Sequence, residues 1–145
     1  MARSDFGFFH RLRVRWSEVD MQAIVFNGHY LNYFDVAFTE YWRRAGLPDV
    51  LQQSRDGREL FARKATVEYL APARFDDELE IGVRCAAMGR SSLRFVMEIH
   101  CGNTHLIAGE LIYVYAETVV RQSTAVPDAW RATIYALETI KPDQS

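Results

Sequence analysis

The sequence has 145 residues, of which 49% are hydrophobic and 25% are charged, and its net charge at pH 7 is −2. This length fits a single domain over residues 1–145, and the small net charge excludes a general attraction to nucleic acid or anionic membranes. No apolar stretch approaches the ~20 residues of a membrane span, and the apolar run near the N-terminus is too short for a secretory signal. The two cysteines, Cys85 and Cys101, form no Cys-x-x-Cys motif. We therefore expect a reduced, cytoplasmic protein in which both thiols are buried.

The first predicted element is a short strand at residues 11–16, where basic and apolar residues alternate with period two. This alternation predicts that Leu12, Val14 and Trp16 face the core, while the three arginines between them are solvated. Such a strand is half-buried, so one of its faces must pack against other elements.

The clearest element is a helix predicted over residues 30–45, because aromatic and small residues recur there at the i, i+3, i+4, i+7 spacing of one helical face. Asn27 or Gly28 can cap its start. Two further apolar residues, Leu31 and Val36, flank this face, so the helix requires cover on more than one side. A curved sheet wrapped around the helix would provide that cover.

Strand signals dominate the rest of the sequence, after a polar connection at residues 49–59 that we predict to be irregular. Period-two alternation and turn residues predict four strands and a final helix. The strands cover residues 60–69, 78–85, 93–99 and 106–117, and the helix covers residues 128–140. Strands joined by short turns pair antiparallel, so this order predicts an α+β fold rather than a wound parallel sheet.

Three segments resemble those of one known family, in the same order along the chain. They are DMQAIVFNGHY at residues 20–30, VEYLAPARFDDEL at residues 67–79 and MGRSSLRF at residues 88–95. The chain thus resembles the 4-hydroxybenzoyl-CoA thioesterase family of small acyl-CoA thioesterases. The resemblance implies the hotdog fold, in which an antiparallel sheet wraps around one long helix. One departure is Ala23, where the family has a glycine, and an alanine there is costly if the backbone has a positive φ.

The resemblance also implies that Asp20 is the catalytic carboxylate and that the backbone amide of Asn27 donates to the thioester oxygen. The N–H groups of a first helical turn lack helical partners, and the helix dipole adds positive potential there. A thioester carbonyl directed at the amides of Asn27 and Gly28 would therefore be polarised. Asp20 can attack the thioester as a nucleophile or activate water as a general base, and the sequence leaves both routes open. Asp20 can also simply cap a turn, which is common for aspartate.

Five further residues are candidates for contacts with the substrate. Phe26 and Tyr30 are expected to line the acyl pocket, and His29 is expected to lie at the mouth of the site or in a subunit contact. Arg90 and Ser91 suit a coenzyme A phosphate by charge and hydrogen bonding. An ordinary solvated turn explains Arg90 and Ser91 equally well.

Other patterns argue against alternative chemistries. His29 follows Asp20 by nine residues with no Asn-Pro between them, unlike the acid and histidine of hotdog hydratases, so we do not expect it to act as the base. His100 and His105 flank a turn, but no fourth ligand has suitable spacing, so we interpret them as a polar hairpin end rather than a metal site. The absence of a Gly-x-Ser-x-Gly elbow and of a glycine-rich phosphate loop argues against serine-hydrolase and nucleotide-binding folds.

The sequence therefore predicts an acyl-CoA thioesterase that converts an acyl or aroyl thioester to a carboxylate and free coenzyme A. No metal or redox cofactor is expected. Coenzyme A is part of the substrate and is therefore not counted as a cofactor. The resemblance implies a homodimer with one continuous sheet, often paired into a homotetramer, and we expect no nucleic-acid or membrane partner. Two alternatives stay open: a thioesterase that acts on acyl carrier protein, and a non-catalytic acyl-CoA-binding module.

Overall fold

The long aromatic helix predicted from the sequence lies at the centre of the fold. In the computed structural model, which describes residues 2–144, this helix is α1 and spans His29–Arg44, one residue earlier at each end than predicted. The two shorter helices are α2 (Val50–Asp56) and α3 (Asp128–Leu137). The strands are β1 (Phe9–Arg13), β2 (Arg58–Tyr69), β3 (Glu78–Met88), β4 (Ser92–Cys101), β5 (Thr104–Glu117) and β6 (Asp143–Gln144).

One sheet contains all of these strands, in the order β1-β3-β4-β5-β2, with β6 added to β3. Neighbours along this order are antiparallel, and only the short β6 pairs in parallel. Because the directions alternate, β3 and β5 begin at the end of the sheet where β1, β2 and β4 finish. We call this the lower end of the sheet, and the end where β3 and β5 finish the upper end. The predicted α+β layout is confirmed.

The side chains that the alternation predicted to point inward pack against α1. The four predicted residues of β3 and the four of β4 are each 0% exposed: Leu79, Ile81, Val83, Cys85, Leu93, Phe95, Met97 and Ile99. Burial of each large apolar side chain contributes about 1.5–3 kcal/mol, so this layer drives the docking of α1 onto the sheet. A Cβ at Gly109 of β5 would lie 2.4 Å from the ring of Phe34, so this close approach requires glycine.

The first strand is shorter than predicted. β1 ends at Arg13, and Val14 is buried as predicted, with 1% of its surface exposed. Trp16, which was predicted to face the core, is 69% exposed and meets the ring of Phe75 edge-on, with 5.1 Å between the centroids. The prediction for Trp16 is wrong because a 3₁₀ turn at Trp16–Glu18 breaks the alternation after the strand has ended.

The connection at residues 49–59 contains α2 and is not irregular as predicted. The side chain of Asp49 caps this helix by accepting a hydrogen bond of 2.8 Å from the backbone N–H of Gln52. Gly57 ends it with a φ of 80°, in the left-handed region where glycine is favoured. The helix was not predicted because its short polar sequence has no apolar periodicity, and only the cap residues indicate it.

Within residues 2–144, two features lack cover. β2 pairs with β5 on one side, which leaves the other side of a strand of 12 residues as an open sheet edge. On the flank of α1, Leu31 and Val36 are both 43% exposed. The sheet therefore covers one side of the helix, whereas the sequence predicted cover on more than one side.

Both cysteines are free thiols. Cys85 is fully buried, and burial raises the pKa of its thiol to about 12, as expected for a small buried hydrophobe. Cys101 is only partly buried, so the expectation that both thiols are buried holds for Cys85 alone. None of the helices in residues 2–144 is long and apolar enough to cross a membrane.

Candidate active site

The segment that carries Asp20 doubles back on itself between β1 and α1. The backbone N–H of Asp20 donates to the carbonyl oxygen of Ile24 at 2.9 Å, and the N–H of Phe26 donates to that of Glu18 at 3.0 Å. We call residues 18–26 the Asp20 loop. Because its two arms are hydrogen-bonded to each other, the loop returns the chain to the neighbourhood of Asp20 immediately before α1 begins.

The second segment of family resemblance holds this loop in place. The N–H of Val25 donates to the carbonyl oxygen of Ala73 at 2.9 Å, and the N–H of Phe75 donates to that of Ala23 at 3.2 Å. The two segments are far apart in the sequence but form one local structure. The position of Asp20 is therefore set by residues 73–75, which lie directly before β3 at the lower end of the sheet.

Ala23 lies at the tip of the Asp20 loop and has a φ of 60°. This is the positive φ that the sequence analysis identified as costly for an alanine at this position. Left-handed backbone costs an L-residue other than glycine roughly 1–2 kcal/mol. The loop thus adopts a conformation that a glycine would adopt at lower cost.

The carboxylate of Asp20 lies on the exposed surface of the loop. Its Oδ1 accepts a hydrogen bond of 2.8 Å from the backbone N–H of Gln22, which is the turn-capping role considered as an alternative above. Within residues 2–144 this is the only hydrogen bond to the carboxylate, so Oδ2 is accessible to water or a substrate. A carboxylate has about four acceptor positions, so turn capping and catalysis are compatible.

The start of α1 presents unpaired backbone donors. Gly28 is the N-cap residue, and no side chain caps the helix. The N–H groups of Asn27 and Gly28 donate no hydrogen bond within the described residues, whereas the N–H of His29 donates to the carbonyl oxygen of Phe26 at 3.0 Å. Asn27 and Gly28 therefore have the free N–H groups that the predicted role requires, at the positive end of the helix dipole.

Glu18 is a residue of this site that the sequence analysis missed. Its carboxylate is 6% exposed and accepts hydrogen bonds from the hydroxyl of Tyr33 at 2.9 Å and from the guanidinium of Arg15 at 2.8 Å. Burial alone would raise the pKa of Glu18, but the hydrogen bonds from Arg15 and Tyr33 outweigh it and lower this pKa. Glu18 therefore stays charged and fastens the first arm of the Asp20 loop to α1. A lone glutamate beside a strand gives no sequence signal of burial.

Phe26 and His29, the predicted pocket and site-mouth residues, lie together at the start of α1. Their rings meet edge-on with 6.1 Å between the centroids, and Phe26 is 57% exposed. His29 borders an open cavity of about 600 Å³ that Glu18 and Tyr33 also line. An apolar ring and an imidazole thus flank the free N–H groups.

Tyr30, which was predicted to line the acyl pocket, lies in the core. It is 2% exposed, and its hydroxyl oxygen accepts a hydrogen bond of 3.1 Å from the backbone N–H of Ala73. Its ring meets those of Tyr33 and Tyr69 edge-on. Tyr30 thus fastens α1 to the segment that supports the Asp20 loop. The prediction failed because helical periodicity marks a buried face without separating core residues from pocket residues.

Arg90 and Ser91 lie at the opposite end of the sheet from Asp20. They belong to the turn between β3 and β4 at the upper end, whereas the Asp20 loop contacts the chain directly before β3. β3 has 11 residues, so the two ends are about 35 Å apart at ~3.3 Å per residue. One chain therefore does not bring Arg90 and Ser91 to Asp20, and a shared site requires a second chain.

A cavity of about 640 Å³ lies between α1, α2 and the upper part of β2. Its apolar lining includes Phe38, Trp42 and Leu60, and Asp20 does not line it. The rings of Phe38 and Tyr113 stack at its base with 4.5 Å between the centroids. Like Arg90 and Ser91, this cavity is remote from the Asp20 loop of the same chain.

The site combines an accessible carboxylate with two free N–H groups at a helix start. This pair suits hydrolysis of an activated carbonyl compound, since one group attacks or activates water while the other stabilises the oxyanion. Together with an antiparallel sheet around one long helix, it fits the class of hotdog-fold thioester hydrolases that the family resemblance implies.

The chain belongs to the thioesterase superfamily, whose family model matches residues 22–108. It is 33% identical over 118 residues to the acyl-CoA thioester hydrolase YbgC of Escherichia coli O157:H7, a match that covers 80% of this chain and 87% of YbgC. Its reaction class is thioester hydrolysis, as the sequence predicted.

Two solved structures extend the similarity over nearly the whole chain. A thioesterase from Thermus thermophilus, complexed with coenzyme A and Zn, is 27% identical with a TM-score of 0.80, and the match covers 94% of this chain and 97% of that chain. The PA5185 protein from Pseudomonas aeruginosa strain PAO1 is 26% identical with a TM-score of 0.81, and the match covers 94% of both chains. The hotdog architecture is thus confirmed.

Proposed function

We propose that this chain hydrolyses acyl-CoA thioesters as a member of the 4-hydroxybenzoyl-CoA thioesterase branch, without a metal or redox cofactor. The observation that carries the proposal is the pair of free N–H groups at Asn27 and Gly28 next to the Asp20 loop. Coenzyme A as the carrier is supported by the name of YbgC and by the ligand of the Thermus thermophilus thioesterase.

In the proposed reaction, the thioester carbonyl oxygen accepts hydrogen bonds from the N–H groups of Asn27 and Gly28, and its carbon faces Asp20. Asp20 acts as a general base toward water, or attacks the carbon and forms a mixed anhydride that water then cleaves. In both routes negative charge develops on the carbonyl oxygen, and coenzyme A leaves as the thiol. Loss of one such donor typically costs about 3 kcal/mol of transition-state stabilisation.

The proposed active unit is a homodimer formed through β2. Antiparallel pairing of two identical β2 edges would continue the sheet and cover the open edge of each chain. Such pairing inverts the partner, so that its upper end lies beside the lower end of this chain. Arg90 and Ser91 of the partner subunit would then lie at the end that carries Asp20, about 10–14 Å, or two to three strand spacings, from the β2 of their own chain. At that distance they can bind the phosphates of coenzyme A.

The same inversion supplies the acyl pocket. The cavity of about 640 Å³ lies at the upper end of each chain, so in the dimer it faces the Asp20 loop of the other chain. Its aromatic lining accepts a benzoyl ring and a fatty chain alike. We propose a cytoplasmic location, supported by two free thiols, and further pairing of dimers into tetramers follows the family resemblance.

Replacement of Asp20 tests the proposal directly. Asp20→Asn keeps the size and the turn-capping oxygen but removes the base or nucleophile, so thiol release from acyl-CoA is expected to fall by at least about 100-fold. Circular dichroism and the oligomeric state are expected to match those of the wild type. Asp143→Asn, at an exposed aspartate of β6, is the matched control. Near-wild-type turnover in Asp20→Asn would refute the assignment.

A panel of short, medium, long and aromatic acyl-CoAs, each compared with the same acyl group on acyl carrier protein, separates the remaining alternatives. Faster thiol release from acyl-CoA supports the proposal. Faster release from acyl carrier protein would show that this protein, and not coenzyme A, is the carrier. Tight binding of acyl-CoA without thiol release from any member would identify a non-catalytic binding module.

A further inference from the structure

The hairpin formed by β4 and β5 carries a cluster of three side chains that thioester hydrolysis does not use. Glu98 and His100 of β4 point to the face of the sheet opposite α1, and His105 of β5 pairs with His100 across the strands. Candidate ligand atoms of these three residues all lie within 4.8 Å of one another. The sequence analysis considered the two histidines but missed Glu98, which the alternation of β4 places on the same face as His100.

Glu98 is a buried charge with an incomplete set of partners. It is 5% exposed, and its ion pairs within the described residues are limited to the two imidazoles of His100 and His105. No lysine or arginine in that part of the chain forms an ion pair with it, although a buried carboxylate is costly unless a cation compensates it. Two imidazoles and one carboxylate therefore form a donor set that a divalent cation would complete.

The N-terminal segment encloses this cluster. Phe6 and Phe9 lie over Gly82, where an added Cβ would approach their rings to 2.9 Å, and Gly82 pairs with Glu98 in the sheet. Arg3 donates to the carbonyl oxygen of Gly102 at the hairpin turn and pairs with Glu80. Phe6 and Phe9 thus cover the sheet beside Glu98, and this partial shielding from water strengthens binding of an ion by the charged ligand.

Two of the three separations between ligand atoms are close to the value for a tetrahedral ion. With metal–ligand bonds of about 2.1 Å, two ligands of a tetrahedral zinc ion are roughly 3.4 Å apart. Oε1 of Glu98 lies 3.0 Å from Nε2 of His100 and 3.9 Å from Nε2 of His105. These separations lie on either side of the tetrahedral value.

One side chain must turn for the ion to bind. The two imidazoles are stacked, with 4.6 Å between the centroids and 18° between the planes, whereas a metal ion lies in the plane of each imidazole that binds it. His105 is the movable member, since its side chain is 33% exposed while that of His100 is 10% exposed. Turning His105 breaks its contact of 2.8 Å with the carbonyl oxygen of Ile107 and leaves Glu98 and His100 in place.

We propose that Glu98, His100 and His105 bind one divalent ion of the zinc type per chain. Imidazole and carboxylate ligands suit zinc and cobalt better than magnesium or calcium, which prefer oxygen ligands alone. The ion has a structural role, because the cluster lies on the opposite face of the sheet from α1 and the helix start that polarises the thioester. It fastens the hairpin and thereby supports the cover formed by the N-terminal segment.

Calorimetric titration of metal-free protein with Zn²⁺ tests the site, with Mg²⁺ as the negative control. We expect saturable binding of one Zn²⁺ per chain and an increase in Tm. His105→Asn should weaken this binding more than the roughly 10- to 100-fold that loss of an outer partner costs. His10→Asn, on the opposite face of the sheet, is the matched control and should bind as the wild type does. Equal Zn²⁺ affinity in the wild type and His105→Asn, or no saturable binding, would overturn the proposal.

Two further measurements distinguish metal binding from effects on folding and on catalysis. Co²⁺ should give the visible absorption of a tetrahedral site in the wild type and in His10→Asn but not in His105→Asn. A chelator should lower the Tm of the zinc-loaded protein while thiol release at a temperature well below Tm stays unchanged. Loss of thiol release on chelation without a change in Tm would contradict the structural role.

Discussion

The exposed carboxylate of Asp20 is positioned by a buried carboxylate two residues before it. Glu18 accepts hydrogen bonds from Tyr33 of α1 and from Arg15, so it links the first arm of the Asp20 loop to the helix whose start carries the free N–H groups. The two carboxylates have different tasks because one is in contact with solvent and the other is enclosed. The enclosed Glu18 fixes the geometry of the loop, and the exposed Asp20 is available for the proposed reaction.

Glu18→Gln is expected to lower the free energy of unfolding at neutral pH by about 1–3 kcal/mol, since a charged hydrogen-bond acceptor is lost from a buried site. The pKa of Glu18 is lower in the folded than in the unfolded chain. Its stabilising contribution is therefore complete above the ordinary glutamate pKa of about 4.3 and is lost as pH falls through the lower folded-state value.

Urea unfolding of the wild type and Glu18→Gln at a series of pH values measures this contribution. The difference between their free energies of unfolding should shrink as the solution becomes more acidic. Glu40→Gln is the matched control, because Glu40 is partly exposed on α1 and pairs with Arg43. A surface pair of this kind contributes less than about 1 kcal/mol. A difference that is independent of pH would contradict the role of the Glu18 charge.

Ala23→Gly is expected to raise the free energy of unfolding by up to about 1 kcal/mol. Relief of the positive φ of 60° is worth roughly 1–2 kcal/mol, and the greater freedom of glycine in the unfolded chain offsets part of it. Ala132→Gly in α3 is the control, since an exposed helical position should instead lose about 1 kcal/mol. Equal destabilisation by both substitutions in urea unfolding would show that the loop carries no strain.

At the scale of elements, Glu138 joins α3 to the rest of the fold. Its Oε2 accepts hydrogen bonds from the hydroxyl of Tyr41 in α1 at 2.5 Å and from the backbone N–H of Cys85 in β3 at 2.8 Å. Burial raises the pKa of Glu138, and the hydrogen bonds from Tyr41 and Cys85 offset only part of that increase. One carboxylate thus connects a helix end, the central helix and the sheet.

Glu138→Ala is expected to lower the free energy of unfolding by about 2–4 kcal/mol, because two buried donors lose their acceptor. Glu138→Gln keeps an acceptor oxygen and should lose less. The folded-state pKa of Glu138 is raised, so the wild type should lose stability relative to Glu138→Gln as pH rises from about 4.3 through that folded-state value. Urea unfolding over this range checks the sign, and a relative gain of the wild type with rising pH would contradict it.

Elements with strong periodicity were predictable from the sequence, and elements defined by a few polar contacts were not. α1, β3 and β4 carry apolar residues at regular spacing, so their existence and inward faces follow from burial alone, although β3 runs three residues beyond its predicted end. α2 depends on two cap residues, and the exposure of Trp16 depends on where β1 ends. In the site, Asp20 and the helix start followed from the resemblance. The burial of Glu18 and Tyr30 required knowledge of which side chains meet in space.

At the scale of the whole molecule, a single chain separates the parts that the proposed reaction requires. Asp20 and the free N–H groups lie at the lower end of the sheet, while the turn of Arg90 and Ser91 lies at the upper end, and so does the larger cavity. The open edge of β2 runs between these two ends. The proposed antiparallel pairing of two such edges would cover the edge and would combine complementary ends into two equal sites.

Ala65→Glu tests this arrangement. Ala65 is exposed near the middle of β2, so in a twofold antiparallel pair the new carboxylates approach each other and destabilise the dimer. The dimer dissociation constant should rise several-fold, and thiol release per chain should fall in step with the fraction of dimer on dilution, because each site loses the Arg90, Ser91 and cavity of its partner.

Sedimentation and thiol release at matched concentrations measure both quantities. Ala132→Glu, on the exposed face of α3, should leave both unchanged. A monomeric Ala65→Glu protein with full turnover would show that one chain holds a complete site.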